Sequence, residues 1–321
     1  MAMRLTNHVT TDRVLADIQR IYGSVSRTTQ QVSTGKRINK PSDDAVGAAE
    51  VRLRHADLAA VASHRDGVSA ATSWLSATET GLSKIGDVLQ RARELTLQAA
   101  NGPVDQNSRD RIATEIDSLA EAAKDAVKVQ MGGAYVFSGT ATDTAPYAAG
   151  SDAYAGNAAA VVRDAGPNVP IQLNPQITPL NPPAPPASPS VPVTAGSILG
   201  GGTAAGDGRV LDALRDLAAH LRGGSAADLQ ALQSTDLQAL DANMRIVNDA
   251  RTAVGATQNR VDAASSRLDD LEDTTNKVLE NVEGVDLAKA LSDLSLQQTA
   301  YQAALRAGAQ IIQPSLLDFL R

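Results

Sequence analysis

Residues 240–282 read LDANMRIVNDARTAVGATQNRVDAASSRLDDLEDTTNKVLENV, and within them Leu240, Val247, Val254, Val261, Leu268, Thr275 and Val282 fall seven residues apart. Ala250, Thr257, Ala264, Leu271 and Val278 hold the companion position three residues after a seam residue. A true period of seven keeps an apolar seam on one line only if the helix winds left-handedly about a partner helix. The stretch is therefore one long helix that needs a second.

The second lies on the other side of the chain's midpoint. Val61, Val68, Leu75, Leu82 and Leu89 repeat at the same interval, with Ala71, Ile85, Ala92 and Ala99 in the companion register. Asn101-Gly102-Pro103 breaks this helix, and Ser108 is placed to cap a third that carries Ile112, Ile116, Leu119, Ala123 and Ala126. These two long segments, centred on Val61, Val68, Leu75, Leu82 and Leu89 and on Leu240, Val247, Val254, Val261 and Leu268, are the expected bundle core.

Outward again, both ends of the chain carry narrower stripes. At the N-terminal end Val14, Ile18, Ile21, Val25, Thr28 and Val32 alternate by four and three, and Gly35 closes the helix. Lys36 and Arg37 then complement the negative end of its dipole, Ser42 is a good N-cap for the next helix, and Asp43 and Asp44 sit where that helix is positive. After Gly284 the residues Leu287, Leu291, Leu294, Tyr301, Leu305 and Ile312 continue the apolar pattern, and Pro314 is expected to kink or end it before Leu316. One stripe per helix leaves the other faces uncovered. The terminal set Val14, Ile18, Ile21, Val25, Val32, Leu287, Leu291, Leu294, Tyr301, Leu305, Ile312 and Leu316 is therefore assigned to self-assembly as a terminal coiled coil.

The middle differs in composition. Only Asp143, Asp152, Arg163, Asp164 and Asp207 are charged between Ala141 and Gly208, and ten of the 14 prolines fall between Pro167 and Pro192, which favours loops over a packed helix. Val161-Val162 and Val169 to Leu173 read as short strands, Asn181 to Val193 as extended polyproline, and Gly200-Gly201-Gly202 as a flexible turn. The expected fold is mainly α: a long antiparallel coiled-coil-like helical bundle formed by both chain ends, with a small β/loop-rich inserted middle domain. The divisions are an N-terminal assembly helix at 1–45, the N-terminal half of the bundle at 46–140, the proline-rich insert at 141–209, the C-terminal half at 210–284 and a C-terminal assembly helix at 285–321.

Chemistry is scarce in this pattern. With no cysteine there is no disulfide frame, thiolate site or thiol nucleophile. His8, His55, His64 and His220 lack a second ligand at helical spacing, and Asp269, Asp270, Glu272 and Asp273 lack the glycine and alternation of a calcium loop, so no metal is expected. Gly35-Lys36 lacks the earlier glycine of a phosphate loop, and no nucleophile-elbow pattern occurs, so neither a cofactor nor a catalytic residue is assigned. A net charge of −7 with mixed signs argues against nucleic acid as the partner. No apolar run reaches membrane-spanning length and the first residues hold no signal-peptide core, so the expectation is a chain that is cytosolic or exported without a cleaved signal, and not inserted in a membrane.

Two stretches resemble a known family. Ser33-Thr34-Gly35-Lys36-Arg37-Ile38-Asn39-Lys40-Pro41-Ser42-Asp43-Asp44-Ala45 is similar to the flagellin superfamily, as is the pairing of coiled-coil ends around a variable middle. Gly132-Gly133-Ala134-Tyr135-Val136-Phe137-Ser138-Gly139-Thr140 and the ending from Gln297 to Leu320 resemble, within it, the hook-associated proteins of the hook–filament junction. Asp43, Asp44, Tyr135, Phe137 and Gly139 are the motif residues. The resemblance implies a secreted structural subunit that joins the flagellar hook to the filament. Its implied partners are copies of itself in a ring, the first hook-associated protein, flagellin, an export chaperone and the type III export apparatus. Flagellin itself, the filament subunit, is the alternative within the superfamily, and a cytosolic coiled-coil adaptor is the alternative outside it.

Overall fold

The computed structural model describes residues 2–100, 104–178, 190–202 and 206–319, and their side chains between residues 12 and 310. The chain divides into two compact units, residues 1–60 with 270–321 and residues 61–269. The helices are α1 (Ala2–Thr34), α2 (Ala45–Ala100), α3 (Gln106–Ala126), α4 (Ala195–Ile198), α5 (Val210–Gly223), α6 (Ala226–Gln233), α7 (Thr235–Glu283) and α8 (Leu287–Phe319). Three two-stranded antiparallel ribbons lie between α3 and α4: β1 (Gln130–Met131) with β2 (Ala134–Tyr135), β3 (Val162–Asp164) with β4 (Pro170–Gln172), and β5 (Gln176–Ile177) with β6 (Val191–Pro192).

In the second unit α2 and α7 run antiparallel, which the ion pairs between them record rung by rung. Arg93 reaches Asp241 at 2.9 Å, Arg251 reaches Glu79 at 2.7 Å, and Arg65 meets Asp269, so the partner number rises as the first falls. Between the rungs lies the seam. Val61, Val68, Leu75, Leu82, Leu89, Leu240, Val247, Val254, Val261 and Leu268 are all buried, as is Trp74. Exposed pairs of this kind contribute little energy, about 0.2–1 kcal/mol each. The buried side chains, at roughly 1.5–3 kcal/mol apiece, hold the helices together and the ions fix their register.

The third helix starts one turn earlier than its sequence suggests. Asp105, not Ser108, is the N-cap, its carboxylate accepting from the Ser108 backbone N–H at 3.2 Å. An ionised cap gains from the helix dipole as well as from the hydrogen bond, so aspartate displaces serine from the role. α5 packs against α3, with Gln106 Nε2 donating to the carbonyls of Leu221 and Arg222 at 3.1 and 3.0 Å and Arg222 paired with Asp117. At the far end of α3 the buried Lys124 donates to Asp152 at 2.9 Å, and Asp152 also takes Arg215 of α5. His220 Nδ1 lies 2.9 Å from Asp236 Oδ2, linking α5 to the first turn of α7, and burial pushes the Asp236 carboxyl up while the histidine pulls it back.

The middle segment is anchored by its aromatic residues. Gly132 and Gly133, at φ +58° and +86°, make the two-residue turn between β1 and β2, a conformation only glycine adopts cheaply at both positions. Phe137 follows, wholly buried. A Cβ on Gly81 of α2 would lie 2.5 Å from its ring, so the glycine is what admits it. The Phe137 carbonyl accepts from Ala195 N at 2.9 Å and Tyr154 Oη at 3.0 Å, and the buried Tyr147 donates to Gly200 O at 2.6 Å. β4 falls within the stretch expected from Val169 to Leu173, and β3 starts at Val162 of the expected Val161-Val162 and runs on to Asp164. Most of the polyproline stretch, and the break at Asn101-Gly102-Pro103, lie outside the described residues, while α2 ends at Ala100.

Two glycine substitutions should have opposite signs. Gly81→Ala gains up to about 1 kcal/mol of helix propensity but drives a methyl into the Phe137 ring, and is expected to lower stability. Gly255→Ala, on α7 with nothing within 4 Å of the added Cβ, should raise it by about 0.5–1 kcal/mol. Urea denaturation of the two variants beside the parent chain checks both signs.

Candidate functional site

The residues assigned to assembly lie in the first unit, where α1 and α8 pair antiparallel. Thr28, buried, donates to Gln297 Oε1 at 2.9 Å, and the rings of Tyr22 and Tyr301 lie 5.9 Å apart. A Cβ on Gly308 would touch Ile18 and Val14 at 3.2 and 3.3 Å. On α1 the expected seam faces the partner: Val14, Ile18, Ile21, Val25 and Val32 are half-buried around Thr28.

On α8 the expected Leu294 and Tyr301 turn toward α1, but the rest of the seam is made by residues outside the expected set. Ala290, Leu294, Gln297, Tyr301, Ala304 and Gly308 alternate by four and three and turn toward α1, with Ala290 and Gly308 buried. Leu287, Leu291 and Leu305 are 49%, 52% and 44% exposed, so they flank the seam and do not form it. The correction has a physical reason. Small residues let the helix axes come close, and a search for large apolar side chains passes over Ala290, Ala304 and Gly308. The side chains of Ile312 and Leu316 lie outside the described residues, although α8 continues to Phe319, so Pro314 does not end it.

The elbow between α1 and α2 joins the two chain ends. Gly35 closes α1 at φ +70° with its N–H on Gln31 O at 2.9 Å. Lys36 and Gly284 then form an isolated antiparallel bridge, with Arg37 N donating to Glu283 O at 2.6 Å and Val285 N to Gly35 O at 3.2 Å. Side chains reinforce the bridge: Lys36 Nζ meets Glu283 at 2.8 Å, and Arg37 donates to Val282 O at 2.9 Å and to Asp44 Oδ2 at 3.2 Å. The two cations thus hold the returning chain and are not spent on the end of α1.

Asp43 and Asp44 divide the rest of the work. Asp43 Oδ2 accepts from Asn39 N and Lys40 N at 3.1 and 2.9 Å, tying the turn. Asp44 Oδ1 accepts from Gly47 N at 2.9 Å, so Asp44, not Ser42, caps α2. Of the other motif residues, Phe137 is the buried plug described above and Tyr135 is half-buried beside it in β2. Gly139 is held at φ +66°, where a side chain would strike Asn157. These three belong to the second unit and build its aromatic corner.

Elsewhere a polar hollow of about 460 Å³ lies on the flank of α2 and α7, lined by Ser76, Glu79, Thr80, Ser83, Lys84 and Gln258. Glu79 there is already engaged by Arg251. Among the described residues no three histidine or carboxylate groups are placed to hold a metal ion, and no helix is long and apolar enough to cross a membrane.

The elbow carries a pH dependence. The Gly47 N–H and the Arg37 guanidinium hold the Asp44 carboxyl below the usual carboxylate range. A depressed folded-state pKa gives stability that is present above the unfolded value, near 4, and is lost as pH falls through the folded value. Asp44→Asn is expected to be less stable than the parent at pH 6 and to converge toward it as pH falls below about 4, which circular dichroism melts over a falling pH series measure.

Comparison with known proteins agrees with both ends of this architecture. Residues 6–142 match the bacterial flagellin N-terminal helical region and residues 237–320 the bacterial flagellin C-terminal helical region, together more than two thirds of the chain. Flagellar hook-associated protein 3 of Escherichia coli (strain K12) is 26% identical, with 87% of each chain aligned. The flagellin of Bacillus subtilis (strain 168) is 25% identical over 99% of this chain and the whole of its own. A solved structure from Vibrio parahaemolyticus, described as a candidate flagellar hook-associated protein, superposes at a TM-score of 0.63 with 25% identity, covering 75% of this chain and all of that one. The two helical regions, matched in order on either side of a divergent middle, make this chain a member of the flagellin family.

Proposed function

We propose that this protein is a structural subunit of the bacterial flagellum that joins the hook to the filament by helical self-assembly. The observation that carries the reading is the pairing of both chain ends into one antiparallel unit that leaves apolar side chains in water. Leu15, Tyr22, Leu287, Leu291 and Leu305 are between 44% and 60% exposed on α1 and α8. A monomer gains little from these largely uncovered side chains, whereas a neighbour that covers them removes apolar surface from water. The position at the junction is supported by the alignment along 87% of the chain with hook-associated protein 3 of Escherichia coli.

In this reading the subunits form a ring between the first hook-associated protein and the first layer of flagellin, outside the cell. They reach it through the flagellar type III export apparatus with a cytosolic chaperone on the C-terminal segment. The role is mechanical: the ring adapts one helical lattice to another, and no residue takes part in catalysis. The full-length similarity to the Bacillus subtilis flagellin favours a second reading, the filament subunit itself.

A deletion strain separates the two. For a junction subunit, hooks remain on the cells, filaments do not stay attached and flagellin accumulates in the medium. Loss of the filament polymer above a complete junction would establish the filament reading instead, and normal flagella would exclude both.

A further inference from the structure

Two faces of the first unit are apolar, exposed and different from each other. On α2 the residues Val46, Ala49, Leu53, Ala56 and Ala60 are spaced by three and four, and all five are exposed, Val46 at 81% and Leu53 at 56%. They lie opposite the face on which Ala48, Val51 and Leu58 turn inward. Alanine alone at exposed helical positions is accounted for by its helix propensity. Valine and leucine seven residues apart on the same line are not. The second face is the ridge of Leu287, Leu291 and Leu305 on α8.

The two faces complement each other in shape and charge. The α2 face is shallow, its three alanines Ala49, Ala56 and Ala60 interspersed with Val46 and Leu53 over about 21 Å at 1.5 Å per residue, and the α8 ridge carries its leucines over about 27 Å with Gln298 between Leu291 and Leu305. Glu50 and Asp57 form an acidic rim beside the α2 groove, held upright by Arg54 at 3.5 and 3.2 Å. The residue flanking the ridge next to Leu305 is the exposed Arg306. Antiparallel pairing of two α2 faces would set the acidic rims against each other, which disfavours a self-complementary dimer.

We propose that the leucine ridge of α8 in one copy of the chain seats in the alanine groove of α2 in the next copy. The inference rests on the assembly reading above and names its interface. Each copy offers one ridge and one groove, so the contact is head-to-tail, and such a contact closes into a ring or runs on as a helix. Knob-into-groove packing of leucine on alanine also brings the two helix axes close, which suits a continuous wall.

The absence of native cysteine makes the test clean. Leu53→Cys and Leu291→Cys are co-produced in a strain lacking the native chain, and flagella sheared from the cells are treated with a short bis-maleimide. A covalent dimer is expected from the mixed variants, none from either alone, and none when Leu296→Cys, 71% exposed on another face of α8, replaces Leu291→Cys. Leu53→Asp and Leu291→Asp should each remain helical in solution and each reduce swimming. The pairing is overturned if assembled particles give no dimer, if Leu53→Cys alone dimerises, if the Leu296→Cys control dimerises equally, if Leu291→Cys links only to a different protein, or if both Asp variants swim normally. Absence of the native chain from sheared flagella would overturn the junction reading itself.

Discussion

Leu75, Leu82 and Leu89 on α2 and Val247, Val254 and Val261 on α7 are shut away from water, and the rest of the molecule depends on that contact. Helices in isolation are marginal, and nucleating one costs more than its first hydrogen bond returns. Antiparallel burial of two matched seams removes the problem for both helices together. The polar rungs at Arg65, Glu79 and Arg93 then select one register out of the several that a seven-residue repeat allows.

The second constraint is scarcity of large side chains. With aromatic residues at 2% of the chain, the core fills with leucine, valine and alanine, and half of the few rings gather between residues 135 and 154, where helices give way to loops. Phe137, Tyr147 and Tyr154 all serve one corner, where short ribbons too small to bury anything alone gather on the helical bundle. Glycines at 81, 132 and 133 make room for that corner or turn the chain into it.

Legibility in the sequence followed the range over which a pattern repeats. The long helices, the core residues on them, the end of α1 at Gly35 and the strands near Val162 and Ile171 could all be read from spacing and punctuation. What failed was decided by single contacts. Ser42 and Ser108 look like caps, yet the helices start elsewhere and Asp44 and Asp105 take the roles, accepting from the backbone N–H groups of Gly47 and Ser108. On α8 the spacing picks out Leu294 and Tyr301 but passes over Ala290, Ala304 and Gly308, which carry no hydrophobic signal and whose value appears only when a partner helix approaches. The Lys36–Gly284 bridge joins residues about three quarters of the chain apart, and no local pattern announces it.

That bridge has a mechanical consequence. Because α1 and α8 run antiparallel from it, a force drawing the two chain ends apart does not load all their contacts at once. It opens the pair like a zipper, one turn after another, until it meets the hydrogen-bonded clasp at Lys36, Arg37 and Glu283. A pull along the axis of the α2–α7 pair instead strains many interdigitated side chains in parallel. The α1–α8 pair is thus easy to peel apart and the α2–α7 pair hard to shear along its axis, two strengths set by the direction in which each pair is loaded.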